Sequence, residues 1–299
     1  MRFSKQSLLI LTTMLLLVLA ACSESDSSDD SDKESEASAE DKDTIIIGQI
    51  NWPENIAVTS MWKALLEDEG YDVNLKLMEM GPQMASLAEG DLDIAPEVWL
   101  PVQDKSYYDK YKDEANFEED PWYRNGIVGL AVPEYMEDIN SIEDLNANKD
   151  KFNGDITGFE PGAGTMKKTK EVIEDYDLDY NLIESSEAAM IATIQDKVDN
   201  KEPVVAPLWK PHDIFSKADL KFLDDPQKTY GETEKIYMAS RDEFKSDYEN
   251  VYNWMSNWEL TDEQLGDLMV SVQENEDAPI KGAEKWIENN QDVVDEWMN

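Results

Sequence analysis

One cysteine and one histidine are all that 299 residues contain of the two side chains most used in metal and nucleophile chemistry. The lone Cys22 excludes disulfides within the chain, so its position carries more information than its number. With His212 as the other single copy, the usual zinc clusters and the Cys–His or Ser–His pairs of nucleophilic catalysis are excluded. Nothing in the chain reads as a cofactor or metal motif. Basic residues are scarce as well: 26 Lys and Arg stand against 67 Asp and Glu, for a net charge of −41. Phosphate binding needs clustered Lys and Arg, so nucleic acid is excluded as a partner. The acid surplus reads as a solvated surface, because charge on this scale speaks to solubility and environment rather than to fold. After residue 21 no run is long and apolar enough to span a bilayer.

What is present begins with residues 1–21. Arg2 and Lys5 precede the apolar run SLLILTTMLLLVLA, and LAAC ends at Cys22. This pattern predicts a lipoprotein signal peptide, with Cys22 lipidated as the new N-terminus. The other reading is a signal-anchor helix with an incidental cysteine. Residues 22–43 are almost all Ser, Asp and Glu, with no apolar periodicity. They predict a disordered, self-repelling tether to the membrane.

From Thr44 the pattern alternates. TIIIGQI, YDVNLKLMEM and LDIAPEVWL read as strands, with helices ENIAVTSMWKALLEDEG and GPQMASLAEG between them. That order predicts a parallel βαβαβ unit. GIVGLAVPEYM leaves it as a further strand. SIEDLNANKDKF reads as a helix capped by Ser141, with Glu143 and Asp144 in its first turn. Strand GDITG, helix TMKKTKEVIEDYDL, strand YNLIESSE, helix EAAMIATIQDKVDN and strand EPVVAPLW then form a second unit, and KIYMASRDEF leads back to a helical C-terminal part. The fold class is α/β, with two lobes: 44–131 and 236–299 make the first, and 132–235 the second.

Three tryptophans share one context. Trp52 is followed by Pro53, Trp99 by Pro101 two residues on, and Trp209 by Pro211 two residues on. Each sits where an apolar run meets a turn that proline stiffens. Open α/β sheets bind ligands beyond the carboxyl ends of their strands. Three indoles there suit a cation without hydrogen-bond donors, at about 0.5–2 kcal/mol per face. A single strand-end tryptophan reads more readily as core, but three in the same Trp–Pro context tip the reading toward a site. Trp62, Trp254, Trp258, Trp286 and Trp297 lie in helical stretches and read as packing, and Trp122 fits either role.

The Gly-rich turn FEPGAGTM is a second candidate. Backbone N–H groups at Gly158 and Phe159 could receive a carboxylate, although such turns are also ordinary loop chemistry. His212, three residues after Trp209, could donate to a ligand or brace its turn.

Taken in order, IIIGQINWPENIAVTSMWKALLEDEGYDV, GDLDIAPEVWLP, VPEYMEDINSIEDL, FEPGAGTM, SSEAAMIATI and LWKPH resemble the glycine betaine-binding proteins of ABC importers. The resemblance runs over nearly all of 44–299. It implies a two-lobed type II periplasmic-binding-protein fold with a ligand cleft between the lobes. It also implies an indole prism of Trp52, Trp99 and Trp209 around a quaternary ammonium group, a carboxylate held by the N–H groups of Gly158 and Phe159, and ABC permease subunits as partners. In related sequences WLP is followed by x-Thr-His; here Gln103 and Asp104 stand in those places. Gln103 can still donate a hydrogen bond, whereas an ionised Asp104 repels a carboxylate, which raises the standing of choline. The expectation is a lipid-anchored extracytoplasmic receptor for a quaternary ammonium osmoprotectant, without catalysis. The alternatives are a choline or polyamine receptor of the same fold, the latter encouraged by Glu97, Glu160 and Glu187, and a secreted glycan-active enzyme.

Overall fold

The computed structural model describes residues 44–298. The signal peptide, Cys22 and the acidic tether read from the sequence lie outside the described residues. Strand β1 (Ile45–Gln49) buries Ile45 and Ile47 completely and leads through Trp52 into helix α1 (Pro53–Asp68). Pro53 opens the helix, where its missing N–H leaves no bond unmade. Strand β2 (Val73–Leu77) lies parallel to β1, and α2 (Met80–Glu89) stops at Gly90, whose φ of 80° is the left-handed conformation that glycine tolerates. Strand β3 (Ile94–Leu100) flanks β1 on the other side, also parallel. Six consecutive residues of β3 are buried, as in a strand covered on both faces.

Helix α3 (Lys105–Tyr111) and the short β4 (Asn116–Phe117) precede β5 (Tyr123–Pro133), an eleven-residue strand. Two 3-10 turns, Ile142–Asp144 and Asn146–Phe152, follow. Then come β6 (Asp155–Thr157), α4 (Gly164–Asp175), β7 (Asn181–Ile183), α5 (Glu187–Asp199), β8 (Ala206–Lys210), α6 (Ile214–Lys217), β9 (Leu220–Phe222) and β10 (Glu234–Ser240). Helices α7 (Phe244–Asp247), α8 (Glu249–Asn257), α9 (Asp262–Gln273), α10 (Pro279–Asn289) and α11 (Gln291–Met298) complete the described chain.

The main sheet runs β2-β1-β3-β10-β5-β8. Its first three strands are parallel, and β10 is antiparallel to both β3 and β5. Strand β5 connects two regions: near its start Tyr123 and Gly126 pair with β10, and from Ile127 to Ala131 it pairs with β8. Strands β6 and β7 form a separate parallel pair, and Thr157 N–H bonds to the carbonyl of Val205, the residue before β8.

The stretch 141–152, expected as a regular helix, is instead the two 3-10 turns. Ser141 and Asp144 close a reciprocal capping box, and the Asn148 amide donates to Asp144 O. Asn and Asp side chains here compete for the backbone groups that a regular helix would use. The short α3, α6, β4 and β9 were not expected from the sequence.

A cluster of tryptophans builds the core around α1. Trp62 meets Trp258 edge-on at 5.5 Å, Trp122 stacks on Trp258 at 4.4 Å, and Trp297 lies 6.4 Å from Trp286. Trp122, which the sequence left open, belongs to this cluster and donates Nε1–H to Pro96 O at 2.7 Å.

Candidate functional site

Three segments far apart in sequence each place one indole. Trp52 is the residue before α1, Trp99 the penultimate residue of β3, and Trp209 the penultimate residue of β8. The Leu100–Pro101 and Lys210–Pro211 peptides that follow the last two are cis. All three indoles are buried, and all three line one narrow, tightly closed hollow together with Glu54, Gln103, Phe159 and Thr165. Trp209 lies 5.9 Å from Trp52 and 5.2 Å from Phe159. Gly126 makes room for Trp99, since a Cβ there would meet the indole Cζ3 at 2.6 Å.

Carboxyls hold two of the three indoles, while Trp52 Nε1–H is enclosed without an acceptor. Trp209 Nε1–H donates to Glu54 Oε1 at 2.7 Å, a bond between residues 155 positions apart. Trp99 Nε1–H donates to Glu97 Oε1 at 2.6 Å, and Glu97 Oε2 accepts from Asn55 Nδ2 at 2.7 Å. Asn55 in turn accepts the Ile50 N–H at 2.8 Å, which ties α1 to the end of β1. Burial, aided by the neighbouring Glu97, holds Glu54 well above the usual carboxylate range; burial also raises Glu97. Glu54 was not singled out from the sequence. It stands in the first helical turn, where an acid is unremarkable because it complements the helix dipole. Its one signal was its place two residues after Trp52.

The polar end of the hollow joins the turn after β3 to α4. The Thr165 hydroxyl donates to Gln103 Oε1, so the Gln103 amide –NH₂ is the polar group still on offer. Glu234 Oε2 accepts from the N–H groups of Val102 and Gln103 at 3.2 and 3.3 Å. A Cβ on Gly164 would meet Gln103 O at 2.2 Å, so only glycine lets α4 approach this closely. Tyr107 Oη donates to Gly162 O at 2.7 Å, and Lys167 Nζ sits 3.5 Å from the Tyr107 ring centre.

Several expected site residues take other places. Gly158 N–H, a proposed carboxylate donor, is already bonded to Ile183 O at 2.9 Å, and a Cβ at Gly158 would collide with Met166. Phe159 lines the hollow, with its N–H facing the soft acceptor Met166 Sδ at 3.4 Å. His212 is not on the hollow. It packs edge-on behind Trp209 at 4.6 Å, approaches Glu187 Oε1 at 3.2 Å, and accepts from Ile214 N–H at 3.0 Å. Burial alone would lower its pKa, but the Asp213 and Glu187 partners outweigh burial and raise it. Asp104 is wholly buried under the turn. Its Oδ2 accepts Trp99 N–H at 2.9 Å, and burial pushes its pKa up to about 8. It is therefore mostly uncharged at neutral pH, which removes the repulsion expected of an ionised Asp104. Glu160 and Glu187 belong to the bracing behind Trp209: Glu160 Oε1 accepts Glu187 N–H at 3.0 Å. Among the described residues, no group of three or more His, Cys, Asp or Glu is placed to hold a metal ion, and no helix is long and apolar enough to cross a membrane.

Residues 43–289 match the OpuAC family, the substrate binding domain of ABC-type glycine betaine transport systems. The glycine betaine/carnitine transport binding protein GbuC of Listeria monocytogenes serotype 1/2a (strain 10403S) is 41% identical over 165 residues. That match covers 53% of this chain and 55% of the relative, so it spans about half of the relative's length. The crystal structure of lactococcal OpuAC, closed and complexed with glycine betaine, is similar at 30% identity and a TM-score of 0.79 over 86% of this chain and 99% of that one. The glycine/betaine/L-proline-binding protein ProX of Borrelia burgdorferi is similar at 30% identity and a TM-score of 0.82, over 86% and 97%. The mixed α/β fold is that of periplasmic binding proteins.

Proposed function

The chain belongs to the family of substrate-binding domains of ABC-type glycine betaine transport systems, and from that premise we propose that it encloses a small quaternary ammonium compound among Trp52, Trp99 and Trp209 for delivery to an importer. It is a transport binding protein and not an enzyme. The observation that carries the ligand reading is the hollow shared by three indoles drawn from three distant segments. A quaternary ammonium group has no N–H to offer, so indole faces suit it better than ion-pair hydrogen bonds, at about 0.5–2 kcal/mol per face. Three faces together with the buried methyl groups give about 5–8 kcal/mol gross, which sets micromolar affinity as the upper limit once ordering costs are counted and suits capture and release.

A carboxylate on the ligand would meet the Gln103 amide –NH₂, whose oxygen Thr165 holds, and would draw the Phe159 N–H from Met166 Sδ. Residues 44–131 and 236–299 form one lobe of this reading and 132–235 the other, with β5 and β10 as the crossing strands. Lipid on Cys22 would hold the protein at the outer face of the cell membrane. Closure would hide the cation from water, and the permease would recognise the closed shape.

Calorimetric titration of the purified protein with glycine betaine, proline betaine, carnitine, choline and spermidine tests the reading. Binding of one or more of the four quaternary compounds supports it; binding of spermidine alone rejects it. Choline is a second reading, favoured by one observation: Glu54, a carboxyl, forms part of the cage wall.

A further inference from the structure

Glu54 and Glu97 are both fully buried, and Asn55, the next residue after Glu54, donates to Glu97 Oε2 at 2.7 Å, which sets the two carboxyls side by side. Their oxygens are served unequally. Both Glu97 oxygens accept donors, from Trp99 and Asn55. Glu54 Oε1 accepts from Trp209, but Oε2 is enclosed without any donor. Two facing carboxylates sealed from water are costly unless a positive charge or a proton separates them. Among the described residues, no cation acts on either member of the pair; the positive charge of Lys167 acts on Asp104 instead. Glu54 on α1 and Glu97 on β3 act on each other, Asp104 before α3 feels Glu97, and Glu234 on β10 and Lys167 on α4 act on Asp104. Within this buried pair, Oε2 of Glu54 is the oxygen that no donor serves and so the position open to a proton.

Only Glu54 of the pair lines the hollow. Resting on the cage reading above, we propose that the Glu54–Glu97 pair carries one proton when the enclosed ligand is a zwitterion and none when the ligand bears a net positive charge, so that pH sets the preference between the two classes. With a zwitterion, the singly protonated pair leaves the enclosed site with one net negative charge. With a cation such as choline, the Glu54 O–H bond breaks heterolytically, its electron pair stays on the carboxylate and the proton passes to buffer. The doubly ionised pair plus the cation again carries one net negative charge. A quaternary ammonium group thus takes over the separating role of the proton. A zwitterion cannot do so as fully, because its own carboxylate offsets its field.

The test is calorimetry of the purified protein with choline and with glycine betaine, in phosphate and in Tris, between pH 5.5 and 7.5. That range lies below the titration of Asp104 near 8. The dependence of the observed enthalpy on buffer ionisation enthalpy counts protons for each ligand. The ligand-free state is common to both titrations and cancels in the difference. The expected difference is about one proton more in the glycine betaine complex, and the choline-to-betaine affinity ratio then rises about tenfold per pH unit. In a folded Glu54→Gln variant the difference falls to zero. If that variant does not fold, the pH dependence of the wild-type ratio decides alone. Equal proton counts overturn the proposal, as does a pH-independent ratio or choline that fails to bind at any pH while betaine binds. Absence of binding by either ligand or its quaternary relatives overturns the cage reading itself.

Discussion

Removal of Trp209 probes the cage where two distant segments meet. Its indole touches Trp52, Phe159 and His212, and its Nε1–H holds Glu54 across 155 residues of sequence. Trp209→Ala deletes one cation-facing ring, about 0.5–2 kcal/mol. It also strands Glu54 Oε1 without its donor, about 1–2 kcal/mol. The combined loss of about 1.5–4 kcal/mol corresponds to roughly a 10- to 700-fold weaker affinity. Trp209→Phe keeps a ring face but drops the Nε1–H, so its loss should be about 5- to 30-fold. A buried Trp→Ala change also costs about 3–5 kcal/mol of stability. Calorimetric affinity must therefore be read beside a melting curve, and the affinity counted only on folded protein. If Trp209→Ala is folded yet binds glycine betaine or choline within twofold of wild type, the indole faces core rather than ligand and the reasoning fails.

Three further outcomes follow from the geometry. Gly126→Ala puts a methyl 2.6 Å from Trp99 Cζ3 and 2.9 Å from Glu234 O, so the indole must move; titration should show at least a tenfold loss of affinity with about 1–3 kcal/mol of destabilisation, and unchanged affinity would mean that Trp99 is not fixed by this contact. Trp122→Ala breaks the stack on Trp258 and the bond to Pro96 O; denaturant melts should show a cost of about 3–5 kcal/mol, while the folded fraction keeps its ligand affinity. Asp104 has a folded pKa of about 8 against 3.8 for the free group. Between those values the unfolded chain has already lost the proton that the folded chain keeps, so this group's contribution to stability falls as pH rises from about 4 to 8. Asp104→Asn cannot ionise, and its melting temperature should gain on the wild type between pH 5 and pH 8; a constant gap would show that Asp104 is charged throughout.

Much of the fold was legible because its signals are local. The apolar runs IIIGQI and LDIAPEV became β1 and β3, the helix between β1 and β2 began at Pro53, and Gly90 ended α2 as a left-handed cap. Tryptophans 62, 286 and 297 packed from their helices into one cluster, as expected, and Trp258 joined it from the extended residue just past α8. Where side chains compete with the backbone, local pattern misled: the Asn- and Asp-rich 141–152 stretch satisfies its N–H groups through Ser141 and Asp144 and forms 3-10 turns.

The site divides along the same line. By itself the sequence determined that indoles stand at 52, 99 and 209 with prolines after them, that zinc clusters and nucleophile pairs are excluded, and that the chain alternates strand and helix from residue 44. Such properties depend on residue type and spacing within a few positions. The tertiary structure decided which polar groups share the indoles' hollow. It brought Glu54 inside, placed His212 behind Trp209, spent the Gly158 N–H on Ile183, and buried Asp104 deeply enough to keep its proton. Each of those outcomes depends on segments tens to more than a hundred residues apart, and on how fully their meeting shuts out water. Burial and partnership are properties of the packed chain, so no periodicity along it records them.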